Sequence, residues 1–134
     1  MQYTFDHLHL KAEDVESTVR WYADMLAAQV SEPTVFRGSI EYRLTLPGGT
    51  IVVHGQLEDE LPLPVSVHPR FGVDHFGVTV TDLDAALEEL QSKGVYVLEP
   101  PWEVTPGTRM ACIAAPDRVR IELIERRHEQ DVGA

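Results

Sequence analysis

Two short stretches of the chain share one apolar and polar pattern. Phe5-Asp6-His7-Leu8-His9-Leu10 and Val73-Asp74-His75-Phe76-Gly77-Val78 each place an Asp-His pair at the head of an apolar run. An aspartate follows each at the same distance, Asp14 and Asp82, and each opens a helical pattern. The histidines are 68 residues apart and so are the aspartates, so the chain reads as two copies of one unit. In the first copy, Tyr3 to Lys11 predicts a strand. Asp14 is an N-cap, and Val15, Val19, Tyr22 and Leu26 recur at helical spacing up to about Ala27. Val30 to Phe36 and Ser39 to Leu46 predict strands around an Arg37-Gly38 turn. Pro47-Gly48-Gly49 predicts a further turn, and Thr50 to His54 a last short strand.

The second copy repeats this order. Val73 to Val80 predicts a strand, Asp82 an N-cap, and Leu83, Leu87 and Leu90 the apolar stripe of a helix closed by Lys93-Gly94. Val95 to Glu99 predicts a strand, Pro100 to Gly107 a loop holding Trp102, and Arg109 to Ala114 and Arg118 to Ile124 two strands around Pro116-Asp117. Module 1 therefore spans about residues 3–55 and module 2 about 71–125. They are joined by a proline-stiffened linker, 56–70, and followed by a polar, frayed tail, 126–134. Val30-Ser31-Glu32-Pro33 matches Val97-Leu98-Glu99-Pro100 at an offset of 67, so one residue is gained near the first helix end.

Composition narrows the partners. The chain has 134 residues, is 43% hydrophobic and 25% charged, and suits a single globular domain. Its net charge of −11 disfavours nucleic acid and anionic membrane surfaces, both of which require clustered cations. Cys112 is the one cysteine, so no internal disulfide forms, and it reads as an inert core thiol. No apolar run approaches the roughly 20 residues of a membrane span. The chain opens directly on strand-like residues without a signal-peptide pattern, and the cytoplasm is the expected compartment.

Alternation along the last strand of module 2 turns Val119, Ile121 and Leu123 toward the helix and Arg120 and Glu122 away from it. In module 1, Ile51 and Val53 take the helix-facing role, which aligns His54 with Glu122 at an offset of 68; aligning the preceding prolines instead gives 69 and Val53. If the copies form one curved sheet, His7, His75 and Glu122 point into a shared concavity as two imidazoles and a carboxylate, a facial metal set. His54 is a candidate fourth ligand or a cavity-lining residue. The donors suit Zn, Fe, Ni, Co or Mn. Glu122 is costly in an apolar strand unless partnered; a salt bridge to Arg109 or Arg120 is the structural alternative. His9 shares the His7 face and is a candidate substrate contact. Arg43 and Arg109 are candidates to hold a substrate carboxylate or phosphate, Trp102 to cover a cavity, and Glu41 to act as general base. Asp6 and Asp74 read as edge or turn hydrogen-bonders, and His68 and His128 as linker and tail residues.

Asp6-His7-Leu8-His9-Leu10 with Asp14 and Trp21-Tyr22, Val73-Asp74-His75-Phe76-Gly77-Val78 with Asp82, and Pro116-Asp117-Arg118-Val119-Arg120-Ile121-Glu122-Leu123 together resemble the vicinal oxygen chelate superfamily. That superfamily includes glyoxalase I, methylmalonyl-CoA epimerase, extradiol dioxygenases, and fosfomycin- and bleomycin-resistance proteins. The resemblance covers about residues 3–125. It implies an α+β fold of two tandem βαβββ modules in a curved, partly open mixed sheet barrel with helices outside, and a homodimer. It also implies a divalent metal on His7, His75 and Glu122, with the remaining ligand position near His54 or Val53. The implied function is a metal-dependent lyase or isomerase of glyoxalase or epimerase type, acting on a small carbonyl compound through a metal-stabilised enediolate or enolate. Glu122 or Glu41 would be the base. An iron(II) extradiol-type dioxygenase and an antibiotic-binding protein without catalysis are the alternatives.

Overall fold

The computed structural model describes residues 1–127. The expectations for the end of the tail, His128 included, lie outside these residues. The fold is α+β, with two mixed sheets among the described residues, each open at its edges. The chain divides into two compact units, Met1–Val65 and Ser66–Ala134.

The first unit contains β1 (Leu8–Lys11), α1 (Val15–Leu26), β2 (Gln29–Val30), β3 (Thr34–Phe36), β4 (Ser39–Leu46) and β5 (Gly49–His54). The sheet order is β1-β5-β4-β2, with β3 also on β4; β1 and β5 are parallel and the other pairs antiparallel. Asp14 caps α1 by accepting from Ser17 N at 3.0 Å. Tyr22, Val19, Leu44, Ile51 and Val53 are buried. They share the helix side of the sheet, where Tyr42 Oη donates to Glu16 of α1 at 2.9 Å. Each such side chain withdrawn from water contributes about 1.5–3 kcal/mol.

The second unit contains β6 (Phe76–Thr79), α2 (Leu83–Ser92), β7 (Val97–Thr105), β8 (Thr108–Ala114) and β9 (Arg120–Arg126), in sheet order β6-β9-β8-β7. Again the first and last strands are parallel. Leu83, Leu87, Leu90, Ile113, Ile121 and Leu123 are buried. Asp82 caps α2 through Ala85 N at 3.0 Å. Glu125, buried on the helix side, accepts from Leu83 N at 2.7 Å. The strand-helix-strand-strand-strand order is thus repeated, with the third element of the first unit in two pieces.

Several predicted boundaries need correction. β1 and β6 are shorter than expected and begin just after His7 and His75. The parallel ladders begin there, at Leu8 opposite Ile51 and Phe76 opposite Ile121, because Asp6 and Asp74 turn the side chains of His7 and His75 to their own carboxylates ahead of the strand. Val30 to Phe36 is interrupted at Ser31-Glu32-Pro33, where Ser31 Oγ accepts from Arg43 N at 2.9 Å and proline offers no N–H. The expected loop 100–107 is mostly strand: β7 runs through Pro100, Pro101 and Trp102. Proline is tolerated because β7 is an edge strand, and its register slips between Glu99 and Trp102. β9 lies two residues later than expected. A 3-10 turn, Pro116–Arg118, precedes it, with Asp117 and Arg118 at φ 59° and 57°. The first residues of the expected linker are not free spacer: Leu57 is buried, Glu58 N donates to Arg37 O at 2.8 Å, and Arg37 pairs with Asp59 at 2.6 Å.

Both helices end in a left-handed residue, Ala27 at φ 56° and Gly94 at φ 88°. A Cβ in that conformation costs roughly 1–2 kcal/mol, partly offset by the stiffer unfolded chain. Ala27→Gly is therefore expected to stabilise the protein by about 0.5–1 kcal/mol. Urea denaturation measures this; a loss of stability contradicts the strain.

Candidate functional site

Each unit presents an imidazole held by the carboxylate beside it in sequence. Asp6 Oδ2 lies 2.6 Å from His7 Nδ1, and Asp74 Oδ2 lies 2.7 Å from His75 Nδ1. A carboxylate only accepts, so the ring proton belongs on Nδ1 and the Nε2 lone pair remains available. A carboxylate behind the imidazole is the usual support of a histidine that ligates metal. The hydrogen bond from His75 holds Asp74 below its ordinary carboxyl value, with a smaller contribution from Arg120.

In the second unit, His75 Nε2 is 3.3 Å from Glu122 Oε2, and both side chains are partly exposed. Glu122 is opposite Gly77 of β6 and Cys112 of β8, on the sheet face away from α2. Arg120 lies on the same face, and its Nη2 donates to Glu99 at 3.1 Å. Burial pushes the Cys112 thiol up, and the neighbouring Arg120 guanidinium partly opposes this. The structural alternative for Glu122 is a bridge to Arg109 or Arg120; the basic side chain that lies against it here is His75.

The first unit carries a row of rings on the face away from α1. His7 and His9 have ring centroids 5.7 Å apart, His9 and His54 are edge-on at 4.4 Å, and His54 lies 6.2 Å from Phe36. His54 is buried, with Nδ1 2.7 Å from Gly55 O. Glu41 is the cross-strand neighbour of His54, and Arg43 that of Val52. Arg43 is exposed. Desolvation against the sheet, with His54 next, lowers His9 below its ordinary 6.5, while Glu41 raises it.

The strand register corrects the alignment of the copies. Leu8 pairs with Ile51 and His9 with Val52; the equivalent Phe76 and Gly77 pair with Ile121 and Glu122. The last strands are therefore related by an offset of 70, so Val52 occupies the position of Glu122, and His54 that of Ile124. One extra residue is gained before β8 and one in the longer connection before β9; together they make one strand period, so the faces stay in phase.

Among the substrate-contact candidates, Arg109 is on the other face. It makes a double contact with Asp84 of α2, at 3.1 and 3.2 Å, and lies 3.8 Å from the buried Glu125. A guanidinium so occupied, behind the sheet from Glu122, supports α2. Trp102 is exposed on β7, opposite Met110, on the Glu122 face. His68 Nε2 is 2.9 Å from Arg118 O. Sequence reasoning missed the work of Asp6 and Asp74, although the repeated Asp-His dipeptide was its signal. It also missed the Arg120–Glu99 pair, for which the alternation of Arg120 with Glu122 was the only hint. Among the described residues, no group of three or more His, Cys, Asp or Glu side chains is arranged to hold a metal ion. Within each unit the donor types are ones that divalent metals accept: an imidazole with Nδ1 engaged in the first, and an imidazole with Nδ1 engaged beside a carboxylate in the second.

Comparison with known proteins identifies the class. The sequence model of the Glyoxalase/Bleomycin resistance protein/Dioxygenase superfamily matches residues 4–123, and the chain belongs to that superfamily. It is 28% identical over 123 residues to YwkD of Bacillus subtilis strain 168, covering 90% of this chain and 94% of YwkD. In fold it resembles a glyoxylase/bleomycin resistance protein/dioxygenase domain from Frankia sp. EAN1pec, with TM-score 0.76 and 22% identity over 95% of this chain and all of that one. It also resembles the fosfomycin resistance protein FosX of Listeria monocytogenes in complex with Mn(II) and sulfate, with TM-score 0.68 and 16% identity over the whole of both chains.

The His9 environment is testable by proton NMR. Its midpoint is expected below 6.5, and Glu41→Gln should lower it further by removing the one neighbour that favours the cation. With the folded value below the unfolded one, the unfolded chain binds more protons in the window just under 6.5. The contribution of His9 to stability is thus complete above 6.5 and declines as pH falls through that window. A midpoint above 6.5 contradicts this geometry.

Proposed function

We propose that the protein is a metal-dependent enzyme of the glyoxalase or epimerase type, acting on a small carbonyl compound, with His7, His75 and Glu122 as the metal ligands. The observation that carries this reading is the duplicated Asp-His pair, at 2.6 and 2.7 Å, which engages Nδ1 of both histidines and turns Nε2 of each away from the supporting carboxylate, that of His75 toward Glu122. Superfamily membership supports it. A bound divalent ion supplies Lewis acidity to the substrate carbonyl oxygen.

The chain's own groups do the rest. Asp6 and Asp74 fix the tautomer and aim of the two imidazoles. Glu122 removes the proton at the carbon beside the carbonyl; its neighbour His75, 3.3 Å away, limits where the carboxylate can swing. Returning the proton to the adjacent carbon gives a glyoxalase-type outcome, and returning it to the opposite face of the same carbon gives epimerisation. Glu41, on the ring-bearing face of the first unit, is the second candidate base. His54 is proposed to line the site rather than to ligate. The working form is assigned as a cytoplasmic homodimer.

Metal content and substrate-proton exchange with deuterated solvent test the proposal. Asp74→Asn is expected to weaken metal binding by about 10–100-fold. His75→Ala should abolish both metal retention and exchange. Full exchange activity in His75→Ala would end the reading.

A further inference from the structure

The two units diverge where their registers coincide. At the pair of positions occupied by His9 and His54 in the first unit, the second unit has Gly77 and Ile124. There the space is filled: a Cβ built on Gly77 would lie 3.1 Å from Ile124 Cδ1. At the position of Glu122, the first unit has Val52, which is buried and apolar. The opposite strand follows suit, with Glu41 equivalent to Met110 and Arg43 to Cys112. The fold therefore requires neither the imidazole pair nor the carboxylate, since each unit forms its sheet without the other's set. The second unit holds an acid-base pair, His75 and Glu122. The first holds a row of rings.

That row crosses the sheet from β1 through β5 to β3. His9 meets His54 edge-on at 4.4 Å, and Phe36 continues it at 6.2 Å from His54, with ring planes 33° apart. Phe36 is 46% exposed although its neighbour His54 is buried. Its starting point is His7, 5.7 Å from His9. Rings at such spacings offer faces and edges to a further ring, and a saturated chain gains no comparable electrostatic fit.

We infer that this face of the first unit is a shelf for the planar, unsaturated part of the substrate, so that the enzyme prefers an aryl or conjugated carbonyl compound to a short aliphatic one. The inference rests on the carbonyl-compound reading above and adds the class of substituent. His9 and Phe36 are the contacts at either side of the row; His54, buried between them, holds their spacing through its Nδ1 contact with Gly55 O.

Calorimetric titration of the metal-treated full chain with benzoylformate and with pyruvate tests it. The two share the oxo-acid group and differ in the ring. Benzoylformate is expected to bind about tenfold more tightly or better, as two ring contacts of roughly 2- to 12-fold each would give. Phe36→Ala and His9→Val should each reduce benzoylformate affinity by a factor in that range and leave pyruvate affinity and the melting temperature nearly unchanged. Equal affinities in the parent protein, no benzoylformate binding, or parallel losses for both acids would overturn the shelf. Metal content measured on the same samples separates the two readings: an aryl preference in protein that retains no metal keeps the shelf and removes the metal reading. Stoichiometric metal with no aryl preference does the reverse.

Discussion

The parallel pairing of the first and last strand in each unit is the constraint on which the site depends. A parallel pair needs a long connection, and here the helix and the intervening hairpins supply it. Once β9 lies beside β6, Ile121 and Leu123 must face α2, and Glu122 between them must face away. The same pairing puts residue 75 at the mouth of the pair, one step before the ladder begins, where its ring meets Glu122 instead of entering the core. Moving β9 by one residue would bury Glu122 against Leu83 and expose two core side chains. The burial of those leucines and isoleucines thus fixes the register, and the register fixes the chemistry.

Much of this was legible in the chain because two signals reinforced each other. The capping aspartates and the 68-residue repeat located both helices to within a residue, since a side-chain cap and an apolar stripe are local features. The sheet faces could be read because alternation has a period of two. Registers were harder. Phase distinguishes an offset of 68 from 69, but 70 has the same phase as 68, so the equivalence of Val52 with Glu122 leaves no mark in the alternation. The last of the two extra residues is accommodated by the 3-10 turn at Pro116–Arg118, where Asp117 and Arg118 are left-handed. Such backbone angles in non-glycine residues leave little trace in a sequence.

The errors at the arginine and proline positions have a common origin. The charge of Arg109 makes it a candidate substrate contact, but charge does not say which face a strand residue occupies; its pairing opposite Glu125 sends it to α2. Pro100 and Pro101 predict a loop because proline breaks a ladder, yet only a two-sided ladder is broken. On an edge strand the missing donor has no partner to disappoint, and β7 continues through them. In both cases tertiary position reversed a sound local preference.

A duplicated fold allows a comparison that a single sequence otherwise lacks. Two copies of one backbone, in one chain, have met the same packing requirements with different residues. Where they agree, as in the Asp-His pairs, the capping aspartates and the apolar strand faces, agreement has two sources: the fold's needs and a shared role. The capping aspartates belong to the first source, because each satisfies helix N–H groups. The Asp-His pairs do not, because both lie ahead of their strands with part-exposed rings and contribute little to either core. Where the copies disagree at matched positions, the fold's needs are already met by the plainer residue. A glycine under an isoleucine suffices to build the β6–β9 face, so the imidazoles at the same place in the first unit are surplus to folding. The same holds for Glu122 against Val52. Burying part of a carboxylate where a valine would serve has an energetic cost, and its proximity to His75 only partly offsets it. A residue retained against that cost, in one copy only, is where a function beyond folding is to be sought.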